Sequence, residues 1–169
     1  MITILCTTDR PGSNSGKASR LYQSKLASIG EQVQELNMKN VDIDWIAKSN
    51  YGTNCPGFEA IVSKYIRSVD RIILIVPEYN GSFPGIFKFF MDACDHQTFK
   101  DKKIALMGLA AGRSGNVRGL DHLTGVFHYL GAEVYSNKVY LSLANQSVSA
   151  SGELDNDLLQ TEKIGRAHV

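Results

Sequence analysis

The sequence predicts an α/β three-layer sandwich, a parallel sheet with helices on both faces. Three observations predict it. A chain of 169 residues suits one domain with a substantial core. Strand and helix patterns alternate along it, the order that builds a parallel sheet with crossover helices. The most apolar run, Arg71-Ile-Ile-Leu-Ile-Val76, is short, continuous and β-branched, as a central strand covered on both faces must be.

The elements follow in order. Residues 2–6 form a first apolar strand. Thr7 to Lys17 pack hydroxyls, Gly, Pro, Asn and Arg10 into a short loop. An amphipathic helix then runs to about Ile29, with Ala18, Leu21, Tyr22, Leu26 and Ile29 at helical spacing. Gln32 to Met38 reads as a second strand. Lys39 to Phe58 is a long polar connection, and a run of that size inside a compact domain is often functional. A helix follows from about Gly57 to Ser68, with Phe58, Ile61, Val62, Tyr65 and Ile66 on one face. The central strand should stop at Pro77, which has no N–H for a ladder. Asn80-Gly81 is a turn dipeptide that permits positive φ. Ser82 or Phe83 can cap the next helix, with Pro84 at its first position, and it extends to about Asp95. Lys103 to Gly108 is the fourth strand. Leu109 to Gly115 is a Gly-rich loop, and a helix runs from about Asn116 to Leu130. Gly131 to Tyr135 begins the last sheet edge, which Val139 to Leu143 continues after a break.

Bulk properties exclude several classes. A net charge of +1 gives no strong pull toward nucleic acid or an anionic membrane. No apolar run approaches membrane-spanning length. Met1-Ile-Thr-Ile-Leu-Cys6 lacks a basic region and a cleavage site, so no leader and a cytoplasmic setting are expected. The three cysteines, Cys6, Cys55 and Cys94, are far apart and form no metal-ligand spacing, so reduced thiols and no bound metal are expected.

A first strand, a hydroxyl-rich turn and a helix start together make an anion site. Helix N–H groups and the positive helix end point at the ligand, and Arg10 adds a charge-assisted contact. The turn lacks the Gly-x-Gly-x-x-Gly of dinucleotide folds and the Gly-Lys-[Ser/Thr] of a P-loop. A second loop of interest, Pro77-Glu-Tyr-Asn-Gly-Ser-Phe-Pro-Gly85, leaves the carboxyl end of the central strand, where ligands of open α/β sheets bind.

That second loop, followed by an amphipathic helix, resembles the flavin-loop signature of the NAD(P)H-dependent FMN reductase family, which includes flavodoxin-like quinone, azo-dye and chromate reductases. The first loop resembles the family's Gly-Ser/Thr-x-Arg-x-x-Ser phosphate loop, with Thr8, Arg10, Ser13 and Ser15 in the matching places and Thr7 where Gly is usual. The Gly-rich loop after the fourth strand is similar to the one that holds the pyrimidine edge of the flavin. The resemblance implies a flavodoxin-like three-layer α/β/α sandwich with a five-stranded parallel sheet in the order 2-1-3-4-5. It implies FMN held by Thr8, Arg10, Ser13, Asn14 and Ser15, by Pro77, Glu78, Tyr79, Asn80, Gly81 and Ser82, and by Ala111, Gly112, Arg113 and Gly115. NADPH or NADH would pass hydride to flavin N5, and the flavin would pass electrons to a small acceptor such as a free flavin, quinone, azo compound or metal oxyanion. No catalytic side chain is required. Arg113 and Arg118 are the further contacts expected for a cofactor phosphate. Trp45 or Tyr51 either roofs the flavin, sits at a subunit contact or covers the sheet edge, and His96 is read as a surface residue. A homodimer or homotetramer is implied.

A non-catalytic flavodoxin-type electron carrier is the alternative, although such carriers tend to be acidic. A phosphoacceptor receiver domain would need an Asp at the end of a central strand, and Arg71 to Pro77 ends in none. A flavin-free interaction module is the third reading. Residues 1–163 are expected to form a single FMN-binding domain. Leu154 to Lys163 starts a closing helix that stops short. Ile164-Gly-Arg-Ala-His-Val169 can be encoded by a common sequencing adapter, so residues 164–169 are expected to be a non-native tail.

Overall fold

The structure, a computed structural model, describes residues 1–147. The expected closing helix at 154–163 and the tail at 164–169 lie outside the described residues. The elements are β1 (Ile2–Cys6), α1 (Asn14–Ser28), β2 (Val33–Asn37), α2 (Ile43–Asn50), α3 (Pro56–Val62), β3 (Arg71–Pro77), α4 (Gly85–Ala93), β4 (Lys103–Leu109), α5 (Val117–Tyr129), β5 (Glu133–Val134), β6 (Val139–Leu141) and α6 (Ala144–Ser147). One turn of π-helix, Ser63–Arg67, extends α3.

The sheet runs β2-β1-β3-β4-β5 and every pairing is parallel, which is the flavodoxin-like order. The fifth position is split. β5 pairs with the start of β4 and β6 with its end, at Met107 to Leu109. In the register, Leu74 lies opposite Leu5 and Leu106. Alternate residues of the central strands therefore feed two cores. Leu5, Leu74, Val76 and Leu106 pack with Ile46, Phe58, Phe90, Leu123 and Phe127 of α2 to α5. Ile4, Cys6, Ile75 and Met107 pack with Ala18, Tyr22 and Leu26 of α1. Both faces of β3 are buried along its length, as its continuous apolar run requires.

Several local expectations are corrected. α1 starts at Asn14, earlier than its apolar spacing indicated, because Ser13 caps it by accepting from Gly16 N at 3.3 Å. The cap of α4 is Pro84 rather than Ser82 or Phe83, and no side chain serves it. β3 does stop at Pro77, as expected, with Pro77 as its last residue. As a terminal residue it gives up no ladder donor, and Glu78 N donates to Leu109 O at 2.7 Å in the next position. The polar connection from Lys39 to Phe58 contains α2.

α2 was hidden because it is short and buries fully only Ile46. Its start rests on Asp42, whose carboxylate accepts from Asp44 N at 2.9 Å. Asp42→Ala is expected to lower stability by about 1 kcal/mol. Urea unfolding would register it as a lower midpoint with an unchanged slope.

Burial pushes the Cys6 thiol from 9.0 up to about 12; its sulfur donates to Ser15 O at 3.4 Å. Burial likewise pushes Cys94 from 9.0 to about 12, with its sulfur turned in to Phe90 O at 3.3 Å. The fold favours the neutral thiols. Their contribution to stability is complete below pH 9 and is lost as the pH rises from about 9 through 12. Native protein treated with a thiol reagent at about pH 8 is expected to take label at half-buried Cys55, with Cys6 and Cys94 labelled only after urea. Label on native Cys6 would contradict this.

Candidate functional site

Three loops leave the carboxyl ends of β1, β3 and β4, and side chains tie them together. The first follows β1. Thr7 N and Thr7 Oγ1 both donate to Ile75 O at 3.1 Å. The threonine that stands where the resembled loop has glycine therefore fastens this turn to β3. Thr8 Oγ1 accepts from Arg10 N at 3.2 Å and shares a 2.6 Å hydrogen bond with the Tyr79 hydroxyl. Asn14 Nδ2 donates to Asn145 Oδ1 at 2.9 Å, which ties the start of α1 to α6. Ser15 Oγ is buried and has no hydrogen-bond partner among the described residues.

The second loop is a two-residue hairpin. Tyr79 N donates to Ser82 O at 2.9 Å and Ser82 N to Tyr79 O at 3.1 Å. Asn80 and Gly81 take φ of 52° and 77°, the left-handed pair that such a turn demands. Asn80-Gly81 meets that demand at little steric cost, so the turn is a local consequence of sequence. The Arg10 guanidinium lies over the Tyr79 ring, 4.7 Å from its centre. Arg10 and the Asn80 turn thus share one rim.

The third loop closes β4. The Glu78 carboxylate accepts from Ser114 Oγ and so joins the second loop to the third. Ala111, Gly112 and Arg113 are exposed. Their backbone is held by Leu143 N donating to Gly112 O and Ser142 Oγ to Arg113 O, both at 2.8 Å. Gly115, at φ 59°, is required by packing, because a Cβ there would lie 2.7 Å from Tyr140 Cβ.

Two residues that sequence reasoning passed over hold this arrangement. Asn116 is fully buried in the left-handed region at φ 69°, and its Nδ2 donates to Val76 O at 3.0 Å. It pins the third loop to the end of β3. The sequence carried one signal, since Asn tolerates that backbone better than most residues. His122 Nδ1 lies 2.9 Å from Ser82 Oγ, and nothing in the helical pattern marked it.

Of the other residues considered, Arg118 faces the second loop, its guanidinium 4.0 Å from where a Gly81 Cβ would stand. Trp45 packs its ring on Gly57 at the start of α3, Tyr51 is 82% exposed, and His96 is a surface residue beside Asp95. A hollow of about 410 Å³ opens beside Tyr79, lined by Asp9, Ile43, Pro84, Ile86 and Phe89 among others. Among the described residues no cluster of His, Cys, Asp or Glu could hold a metal.

The family model described as NADPH-dependent FMN reductase matches residues 1–146. The chain is 29% identical over 137 residues to the NAD(P)H-dependent FMN reductase of Pseudomonas aeruginosa, covering 77% of this chain and 74% of that protein. It is 24% identical over 110 residues to a 2-hydroxy-1,4-benzoquinone reductase from a Burkholderia species, covering 62% of this chain and 60% of that one. Among solved structures, the flavoenzyme NAD(P)H:(acceptor) oxidoreductase FerB from Paracoccus denitrificans superposes with a TM-score of 0.74 at 18% identity, over 95% of this chain and 88% of that one. This last likeness is one of fold.

Proposed function

The chain belongs to the NADPH-dependent FMN reductase family, and from that premise we propose that it holds FMN across the three joined loops and uses NAD(P)H to reduce small acceptors. It is a flavin-dependent oxidoreductase. The observation that carries the reading is the meeting of the Arg10 turn, the Tyr79–Ser82 hairpin and the Ser114 loop at one rim.

The donor set fits a flavin mononucleotide. A phosphate needs a cation, hydroxyl donors and a helix N-terminus. Arg10 supplies the first, and Ser13 caps α1 through its oxygen lone pair, which leaves its O–H to donate. Ser15 Oγ, buried without a partner, is an unsatisfied group that a bound anion would satisfy. Asn80 and Gly81 present turn backbone to the ring, as do Pro77 and Glu78 at the strand end. Ala111, Gly112 and Arg113 offer exposed backbone for the pyrimidine edge.

FMN held there would supply the redox chemistry, accepting reducing equivalents from NAD(P)H and passing them to the acceptor. The protein binds and orients. Arg10 and the first turn of α1 hold the phosphate end, the hairpin sets the ring position, and N–H dipoles at the rim favour negative charge there. No side chain is assigned a proton-transfer role. Tyr79 and the apolar hollow beside it suit a flat aromatic acceptor of the quinone or azo class. The reading includes a homodimer or homotetramer whose second subunit walls the site. Exposed Ile43, at the hollow, is a residue such a contact would cover. Among the described residues no helix is long and apolar enough to cross a membrane. The unbridged cysteines Cys6, Cys55 and Cys94, together with the use of NAD(P)H, support a cytoplasmic setting as part of this reading.

Steady-state oxidation of NADPH and NADH with a quinone tests the proposal. Turnover that depends on added FMN and on quinone concentration is expected. An FMN-loaded protein that exchanges electrons only with a protein partner, without nicotinamide turnover, would make it a carrier instead.

A further inference from the structure

We infer that His122 is a positioning residue for the Ser82 hydroxyl: through its hydrogen bond to Ser82 it decides whether that hydroxyl donates to, or accepts from, the bound flavin. The inference rests on the proposed flavin site. Its basis is the 2.9 Å contact between Ser82 Oγ and His122 Nδ1, which joins the last residue of the Asn80-Gly81 turn to α5.

A serine hydroxyl has one proton and two lone pairs, and a ring nitrogen either donates or accepts. When Nδ1 is bare, Ser82 spends its proton on the imidazole and offers a ligand only lone pairs. When Nδ1 carries a proton, the imidazole donates to Ser82 Oγ, and the serine proton is released toward the ligand. The backbone of the turn is already closed by its two mutual hydrogen bonds, so changing the direction of this contact leaves the hairpin in place. The effect therefore falls on the hydroxyl and not on the fold.

Most charged groups on the neighbouring elements are ion-paired or hydrogen-bonded to other residues, Arg118 on α5 excepted. On α5, Asp121 binds Lys138 and Arg118 reaches toward Gly81. On the hairpin, Glu78 accepts from Ser114, and Tyr79 is bonded to Thr8 beneath Arg10. On α4, Lys88 pairs with Asp92. Among the described residues no carboxylate is ion-paired or hydrogen-bonded to the His122 ring, so His122 and Ser82 act as a pair.

The test is the FMN dissociation constant of wild type, His122→Ala and His122→Gln between about pH 5.5 and 8.5, the range in which imidazoles titrate. The phosphate of FMN titrates in the same range, so the quantity read is the difference between curves. Wild type and His122→Ala are expected to diverge across the range by about threefold to tenfold, the worth of one hydrogen bond. His122→Gln, whose amide does not titrate, is expected to restore affinity and run parallel to His122→Ala. A second readout needs no flavin: in ¹⁵N-histidine spectra of the apo protein, Ser82→Ala should change the His122 Nδ1 signal and leave His96 and His128 unmoved. Parallel wild-type and His122→Ala curves, or a His122 signal indifferent to Ser82→Ala, overturn the inference while leaving the flavin site standing. Failure of wild type to bind FMN at any pH overturns the flavin site and this inference with it.

Discussion

Gly108→Ala is expected to lose about 3 kcal/mol of stability, at the upper end of what overpacking costs, and to lose FMN affinity in the same step. Gly108 lies in β4, between Val76 of β3 and Tyr140 of β6. A Cβ there would stand 2.2 Å from Gly115 O, 3.1 Å from Asn116 Cβ and 3.2 Å from Leu120 Cδ1. The nearest obstacle is backbone, which has no rotamer to escape into. β4 is paired on both sides and is not free to retreat. The turn from Gly112 to Asn116 must therefore lift, and the Asn116 bond to Val76 O goes with it. Urea unfolding should give the stability loss, and a flavin fluorescence titration the affinity loss. A variant as stable as wild type would show that the third loop is not packed onto β4 in this way. Gly119→Ala is the companion case. Its Cβ would lie 2.1 Å from Asn116 Oδ1 and 2.8 Å from the Ser82 carbonyl carbon, so it strikes the second and third loops at once.

Arg10→Ala is expected to raise the FMN dissociation constant roughly 10- to 100-fold, the worth of a charge-assisted contact to a phosphate. Stability should hardly move, because Arg10 is exposed and its rest position over Tyr79 is a cation–π contact worth about 0.5–1 kcal/mol at such a site. The same figures explain why the guanidinium would leave the ring for a phosphate. Riboflavin, which has no phosphate, is the control, and its affinity should be the same for both proteins. Arg10→Lys should recover part of the loss, since a lysine keeps the charge without the planar fork. Equal weakening of riboflavin and FMN would place Arg10 at the ring and not at the phosphate.

What was legible in the sequence, and what was not, follows from the range of the forces involved. β3 was legible because a strand buried on both faces has no polar position to blur it. The Asn80-Gly81 turn was legible because its backbone is decided within four residues. Strand order was legible through the resemblance, which implied the order the sheet takes. α2 was not legible, since an eight-residue helix with one fully buried residue, Ile46, has too little apolar pattern to stand out. Asn116 and His122 were not legible for another reason. Their partners, Val76 and Ser82, are each 40 residues away in sequence, and a contact that long leaves no periodic trace. Gly115 read as room for a ligand, yet it is required by Tyr140, which arrives from β6.

The central claim is that the three loops at this rim grip one flavin mononucleotide and let NAD(P)H reduce it. The most direct measurement is the anaerobic visible spectrum of the purified protein with one equivalent of FMN, before and after NADPH. The account predicts a flavin band shifted from that of free FMN, bleached by NADPH and restored by a quinone. A spectrum that stays that of free FMN, or a bound band that NADPH leaves unchanged, would contradict it.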